Sequence, residues 1–229
     1  MADWSNLYEL EKSSSTKYFF NTSSTEIFHI EGVEGIVDGD IREGLIGHWK
    51  LDEAAGAMAY DFSGNGNDGS VNGVVATSTD NCLIGGCYSF DGSDDYVEDP
   101  DAENYINGLS AISVSIWIKS NEINTDKGFI KGNEPDGADN VLAMRYDNSG
   151  GATGRNNVIK VGISTTNNGS VAVESSADIQ TTDWQHLVLT WSSGNNLKLY
   201  INGQEDLNLE NKSASGSITD TTKLLIGKG

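Results

Sequence analysis

The sequence predicts an all-β protein, two antiparallel sheets packed face to face as a jelly-roll sandwich, with a small N-terminal extension. Three observations lead there. From Ser113 to Lys119 the even positions Val114, Ile116 and Ile118 are apolar and the odd ones mostly polar, the period-two pattern of a strand with one wet face. The same alternation runs through 186–191 and 197–201, separated by Ser-Ser-Gly-Asn-Asn, whose Gly and Asn accept a left-handed backbone, so these runs read as a hairpin. Composition agrees, because 27 Gly and 2 Pro in 229 residues, without long apolar runs, describe many turns and little helix.

Taken in order, residues 1–43 form the extension and 44–229 the sandwich. Apolar residues at 4, 7, 8 and 10 predict a short amphipathic helix over 4–12, followed by the linker Ser13-Ser14-Ser15-Thr16. The runs 18–20 and 26–30 flank 21–25 as a small hairpin, and 32–44 is an acidic, Gly-rich connector. In the sandwich, strands are expected near 45–52, 69–76, 86–90, 94–98, 111–119, 127–131, 140–146, 157–165, 170–174, 185–192, 196–202, 204–209 and 221–227. Asp91-Gly92 supplies a turn between the third and fourth of these, and Asn202-Gly203 turns the chain back after 196–202. Trp117, Trp184 and Trp191 are expected in the core. The acids Glu98, Asp99, Asp101 and Glu103 are expected in an exposed loop.

Five phrases in this order carry a resemblance: GLIGHWKLDE (44–53), DFSGNGNDG (61–69), YSFDGSDDYV (88–97), AISVSIWIKS (111–120) and DWQHLVLTWSSGNNLKLYINGQ (183–204). Together they resemble the laminin-G-like branch of the concanavalin A-like lectin and glucanase superfamily, across residues 44–229. The resemblance implies a closing strand with an acidic residue after LLIGKG, returning beside the first strand. The sequence stops at Gly229, so an open sheet edge beside 45–52 is expected, a place for strand addition, with the 18–30 hairpin as partial cover.

The segment 61–69 is the most loaded in chemistry. Asp61, Ser63, Asn65, Asn67 and Asp68 offer hard oxygens, while Gly64, Gly66 and Gly69 let the backbone turn tightly, a mixture from which calcium draws its six to eight ligands. An Asx-type turn without metal reads the same residues equally directly. The resemblance implies structural calcium held by Asp61 and Asn67, with backbone oxygen from Gly64. Asp91, Asp94 and Asp95 form a second acidic group, read as a solvated turn.

Net charge is −20, from 34 acids and 14 bases, which excludes a general nucleic-acid role, since phosphate binding needs a clustered basic surface. No run approaches the roughly 20 apolar residues of a membrane span, and no signal peptide begins at Met1. Cys82 and Cys87 have no partners for a zinc site and flank Gly85-Gly86, which predicts a loop-closing disulfide and an oxidising compartment. A secreted or cell-surface protein, its export signal upstream or removed, fits this picture.

Catalysis finds little support in the residues. Glu26-Ile27-Phe28-His29-Ile30-Glu31 echoes the carboxylate pair of a glycoside hydrolase, but the Asp of that phrase is replaced by Phe28 and the run lies outside the sandwich. His29, His48 and His186 stand alone in apolar strands, read as structural, and no nucleophile elbow, metalloprotease or phosphate-loop motif is present. A polysaccharide lyase remains a lesser alternative. The leading expectation is a non-catalytic recognition module for a glycan or an extracellular protein, with Tyr105, Asn140, Arg145, Tyr146 and Asp147 as exposed ligand-binding residues. The other class is an assembly domain of a filament, pilus or virus particle, joining copies by strand exchange.

Overall fold

The computed structural model describes residues 44–73, 82–133, 141–149, 151 and 153–228, and the backbone alone of 7–12, 16–21, 27–28 and 75–76. The chain divides into two units, Met1–Leu45 and Ile46–Gly229.

In the first unit, β1 (Leu7–Lys12), β2 (Thr16–Asn21) and β3 (Ile27–Phe28) form an antiparallel sheet in that order. The helix expected over 4–12 is therefore corrected to a strand, paired from Leu7 opposite Asn21 to Lys12 opposite Thr16. An isolated helix this short is marginal in water, and the adjacent Tyr18-Phe19-Phe20 run is a strongly β-prone partner. The expected hairpin is present, with Phe19 opposite Phe28. Ser13–Ser15 and 32–43 lie outside the described residues.

The second unit contains β4 (Met58–Ala59), β5 (Gly69–Asn72), β6 (Val75–Ala76), β7 (Tyr88–Ser89), β8 (Tyr96–Asp99), the short helix α1 (Glu103–Ile106), β9 (Ala111–Ile118), β10 (Lys127–Lys131) and β11 (Ala143–Asp147). It continues with β12 (Val158–Thr165), β13 (Gly169–Glu174), β14 (Gln185–Ser192), β15 (Lys198–Ile201), β16 (Gln204–Glu205) and β17 (Leu224–Ile226). Eight strands form one sheet, ordered β13-β12-β11-β10-β17-β8-β5-β4, and four form the other, ordered β16-β15-β14-β9, while β6 and β7 pair separately. Leu187, Leu189 and Trp191 of the small sheet meet Met144, Tyr146, Ile159, Val161 and Ile163 of the large one in a single apolar core. This is the two-sheet antiparallel sandwich predicted from the alternation, and burying those alternate side chains is its main source of stability. Among the described residues, no helix is long and apolar enough to cross a membrane.

Several expected strands are shortened, among them 86–90, which keeps Tyr88–Ser89, and two more for a visible reason. Residues 45–52 keep one antiparallel bridge, Trp49 opposite Asp61. The His48 N–H donates to Asp61 Oδ1 at 2.8 Å, and Leu51 has φ of 57°, so ladder geometry stops on either side of Trp49. The glycine at 47 is required here, since a Cβ would lie 2.2 Å from the Trp49 ring. After the Asn202-Gly203 turn, with φ of 51° and 80°, β16 has two residues. The Asp206 N–H still meets Leu199 O in register at 2.9 Å, but Asp206 O then accepts the Leu209 N–H at 3.1 Å and its carboxylate the Ser176 and Asn208 N–H groups, which turns the chain away. The 221–227 strand keeps Leu224–Ile226 alone.

Two burial expectations are also corrected. Asp99 is buried, not in an exposed loop, because β8 runs through it and Tyr105 Oη–H donates to its Oδ2 at 2.5 Å. Trp191 is 3 % exposed as expected, but Trp117 is 51 % exposed. The phase that turns Val114, Ile116 and Ile118 toward the core sends Ser113, Ser115 and Trp117 to the other face of β9.

Candidate functional site

The outward face of the four-stranded sheet carries an aromatic platform. Register places Trp117 of β9 opposite His186 of β14, with Ser115 opposite Val188 beside them. The Trp117 and His186 rings stack with centroids 4.8 Å apart and planes inclined by 22°. Ser115 Oγ lies 2.8 Å from His186 Nε2, fixing the imidazole edge. The backbone of His186 is held in turn, its N–H donating to Asn202 Oδ1 at 2.9 Å and its carbonyl accepting from Asn202 N–H at 2.8 Å.

Burial pushes the His186 imidazole below its usual value, so the ring is neutral at pH 7 and presents one donor and one acceptor nitrogen. Tyr200 of β15 stands opposite Val188 on the same sheet, and Lys198 pairs with Glu205 at 3.1 Å farther across. A half-exposed tryptophan stacked on a neutral ring, with hydroxyl and imidazole groups at its margin, offers a flat apolar surface bordered by hydrogen-bonding groups. That combination suits a ring with an apolar face and polar edges.

The site residues expected from sequence are dispersed. Tyr146 is corrected from exposed to core: it is 0 % exposed, meets Phe129 edge-on at 4.9 Å, and donates its hydroxyl to Gln185 Oε1 at 2.6 Å. It alternates inward with Met144 on β11, in the interior of the large sheet, so no ligand reaches it. Tyr105 packs partly buried against the same core, its hydroxyl on Asp99, and burial with that carboxylate raises its pKa. Asp147, also corrected to buried, joins Arg145 at 3.4 Å and Lys160 at 3.6 Å, and Lys160 reaches Glu174 at 3.8 Å. Burial raises the Asp147 pKa, but Lys160 and Arg145 more than offset it and hold the carboxyl low. Asn140 lies outside the described residues. Arg145 and Asp147 thus belong to a structural ion cluster on the large sheet, remote in the fold order from the platform.

The 61–69 loop is organised by Asp61. Its Oδ1 accepts the N–H groups of His48 and Ser63, each at 2.8 Å, and its Oδ2 accepts Ser63 Oγ–H at 2.6 Å and Asn67 N–H at 3.0 Å. Asn67 donates its side-chain amide to Ile46 O at 2.9 Å, and its own carbonyl accepts Trp49 Nε1–H at 2.8 Å. As placed, both oxygens of the Asp61 carboxylate are taken by protein donors, so a cation there would have to displace them. Among the described residues, the acidic group whose oxygens converge is Asp91, Asp94 and Asp95, within 4.8 Å of one another. Asp91 Oδ1 there accepts the N–H groups of Ser93 and Asp94, and Asp95 Oδ2 that of Asp91, the geometry of a turn. Cys82 and Cys87 form the expected disulfide.

Sequence reasoning missed the platform by assigning Trp117 to the core and His186 to a lone structural role. The available signal was the phase of 113–119, which cannot bury Trp117 together with Ile116 and Ile118.

The fold is a two-sheet antiparallel β-sandwich of the concanavalin A-like kind. The model of the concanavalin A-like lectin/glucanases superfamily, Laminin_G_3, matches residues 91–229, more than half of the sequence, and the chain belongs to this family. Among solved structures it is similar to the receptor-binding domain of a botulinum neurotoxin C/D mosaic serotype, with TM-score 0.59 and 17 % identity, covering 82 % of this chain and 44 % of that one. It is also similar to a botulinum neurotoxin DC binding domain in complex with rat synaptotagmin II, with TM-score 0.57, 15 % identity and coverage of 82 % and 44 %. A third is a botulinum neurotoxin type C structure whose cell entry is described as dependent on two ganglioside molecules, with TM-score 0.56, 15 % identity and coverage of 79 % and 42 %. The chain therefore spans less than half of each of these proteins, and at such identity the likeness is one of fold. No curated protein sequence matches the chain.

Proposed function

We propose that this chain is a non-catalytic recognition module of an exported or surface protein, receiving a saccharide ring on the Trp117–His186 platform. The observation that carries it is the exposure of Trp117 on a stacked, hydrogen-bonded His186. Two kinds of support accompany it: neighbours of the same fold are described with gangliosides and with synaptotagmin II, and the Cys82–Cys87 bond suits an oxidising compartment. A glycan-array screen, run with millimolar calcium and with chelator, is expected to show reproducible binding to one sugar class. A blank array from folded protein would overturn the saccharide reading. Calcium support, implied by the resemblance at Asp61, Gly64 and Asn67, remains a proposal of the same screen, in which chelator-sensitive binding would uphold it.

A second reading, an assembly domain, draws on β9. This strand pairs with β14 alone among the described residues, and its eight residues contain neither charge nor proline. Its inward side chains Ile112, Val114 and Ile116 are only partly buried, while Leu187 and Leu189 of β14 are fully so. Long uncharged edges of this kind accept further strands. Assembly predicts that the apparent mass in light scattering rises with concentration and that Val114→Lys suppresses the rise. A monomer at every concentration would remove this reading.

A further inference from the structure

We infer that the short ribbon around the Trp49–Asp61 bridge carries a second binding surface, directed at a carboxylate-bearing sugar of an acidic oligosaccharide. The bridge sets Trp49 opposite Asp61, and beside it the Phe62 N–H donates to His48 O at 2.8 Å. Alternation then turns Trp49 and Asp61 to one side and sends His48, Lys50, Tyr60 and Phe62 to the other, where all four are exposed, Tyr60 by 53 % and Phe62 by 47 %. Lys50 Nζ stands 3.9 Å from the Phe62 ring centroid, and the His48 ring meets the same Phe62 at 6.4 Å, inclined by 65°.

The charge pattern selects the ligand. Lys127, Lys160, Lys198, Lys212 and Lys223 each sit within ion-pair distance of a carboxylate. Among the described residues, Lys50 has no such partner, like Lys119 and Lys228, and of these three it is the one that stands over a ring with a second ring and an imidazole on the same exposed side. Asp52, the nearest acid in sequence, forms no ion pair with Lys50, Glu53 accepts the Tyr60 N–H at 2.9 Å, and Asp61 across the bridge accepts its four donors. An unneutralised ammonium over an exposed ring, with a second ring and an imidazole beside it, matches a ligand that joins an apolar C–H face to an anion.

An acidic sugar has both features. A neutral sugar leaves the ammonium unused, and a bare inorganic anion leaves the rings unused. A nucleic acid or an anionic bilayer extends over many charges and meets the repulsion of the surrounding acids, whereas a single carboxylate interacts within a Debye length of about 8–10 Å. This surface lies on different elements from the Trp117 platform and does not depend on the reading given to it.

The test is an amide-shift titration of the full chain with sialyllactose and with tetragalacturonate, using lactose as the uncharged control, at low and at physiological salt. At least one acidic probe is expected to shift amides at 48–50 and 60–62, more weakly at the higher salt, while lactose does not. Lys50→Gln and Phe62→Ala are each expected to lower the affinity read from the 48–50 and 60–62 amides by about fivefold or more, with Lys50→Arg retaining most of it. Because Lys50 is exposed, its Gln variant keeps the fold, and superposable spectra check this directly. The inference is overturned if neither acidic probe shifts the ribbon, if lactose does so equally, or if Lys50→Gln shifts it with the parent's affinity.

Discussion

Trp191→Ala is expected to cost about 3–5 kcal/mol and lower Tm by about 10 °C, whereas Trp117→Ala keeps the parent's stability and loses saccharide binding by about tenfold or more. The two residues lie in adjoining strands of one sheet, so the contrast isolates the face each occupies. Trp191 is 3 % exposed, and its Nε1–H donates to Ala214 O at 3.2 Å. Truncation there leaves a cavity between the sheets, while Ala214 O keeps its bond from the Gly194 N–H at 2.7 Å, and a packed core relaxes only partly around such a void. Trp117 is 51 % exposed and stacks on the His186 imidazole at the sheet surface, so alanine opens no enclosed cavity there. Chemical denaturation paired with binding on the best array hit reads both quantities. A Trp117→Ala protein destabilised as far as Trp191→Ala would make Trp117 a packing residue and remove the platform from the functional account.

The sandwich was legible because the four-stranded sheet follows the alternation written in 111–118, 185–192 and 198–201, and the Asn202-Gly203 turn fixes where the chain reverses. The disulfide was legible from two cysteines around a glycine pair. What sequence could not reach was competition for backbone groups and choice of face. Nothing in Gly44 to Asp52 announces that Asp61 takes the His48 N–H and halts the strand at one bridge. Arg145, Tyr146 and Asp147 look like a polar surface run, yet β11 is an interior strand, which buries Tyr146 in the core and collects Arg145 and Asp147 with Lys160. The platform was half legible: its phase is in the sequence, but the pairing of Trp117 with His186 is a register between strands nearly seventy residues apart.

Asp61→Ala is expected to cost about 2–3 kcal/mol, a large effect for a residue in a surface loop, because one carboxylate accepts four hydrogen bonds and truncation strands all four donors. Asp61→Asn should fall between, since its amide keeps one acceptor oxygen but turns an NH2 toward Ser63 Oγ or a backbone N–H. The effect carries a pH signature. Burial raises the Asp61 pKa, yet the bonds from Ser63, His48 and Asn67 outweigh it and hold the carboxyl below its ordinary value. A depressed folded pKa means the stabilisation is complete above the unfolded value near 3.9 and is lost as pH falls through the folded one. Urea melts at pH 7 and pH 3 should therefore show a smaller acid loss in Asp61→Asn than in the parent. Calcium added to either protein supplies the discriminating comparison: if four protein donors hold the loop, chelator leaves the parent's Tm unchanged. A parent stabilised by calcium, with the gain absent from Asp61→Ala, would instead mean that a cation displaces those donors and that the loop rearranges to admit it.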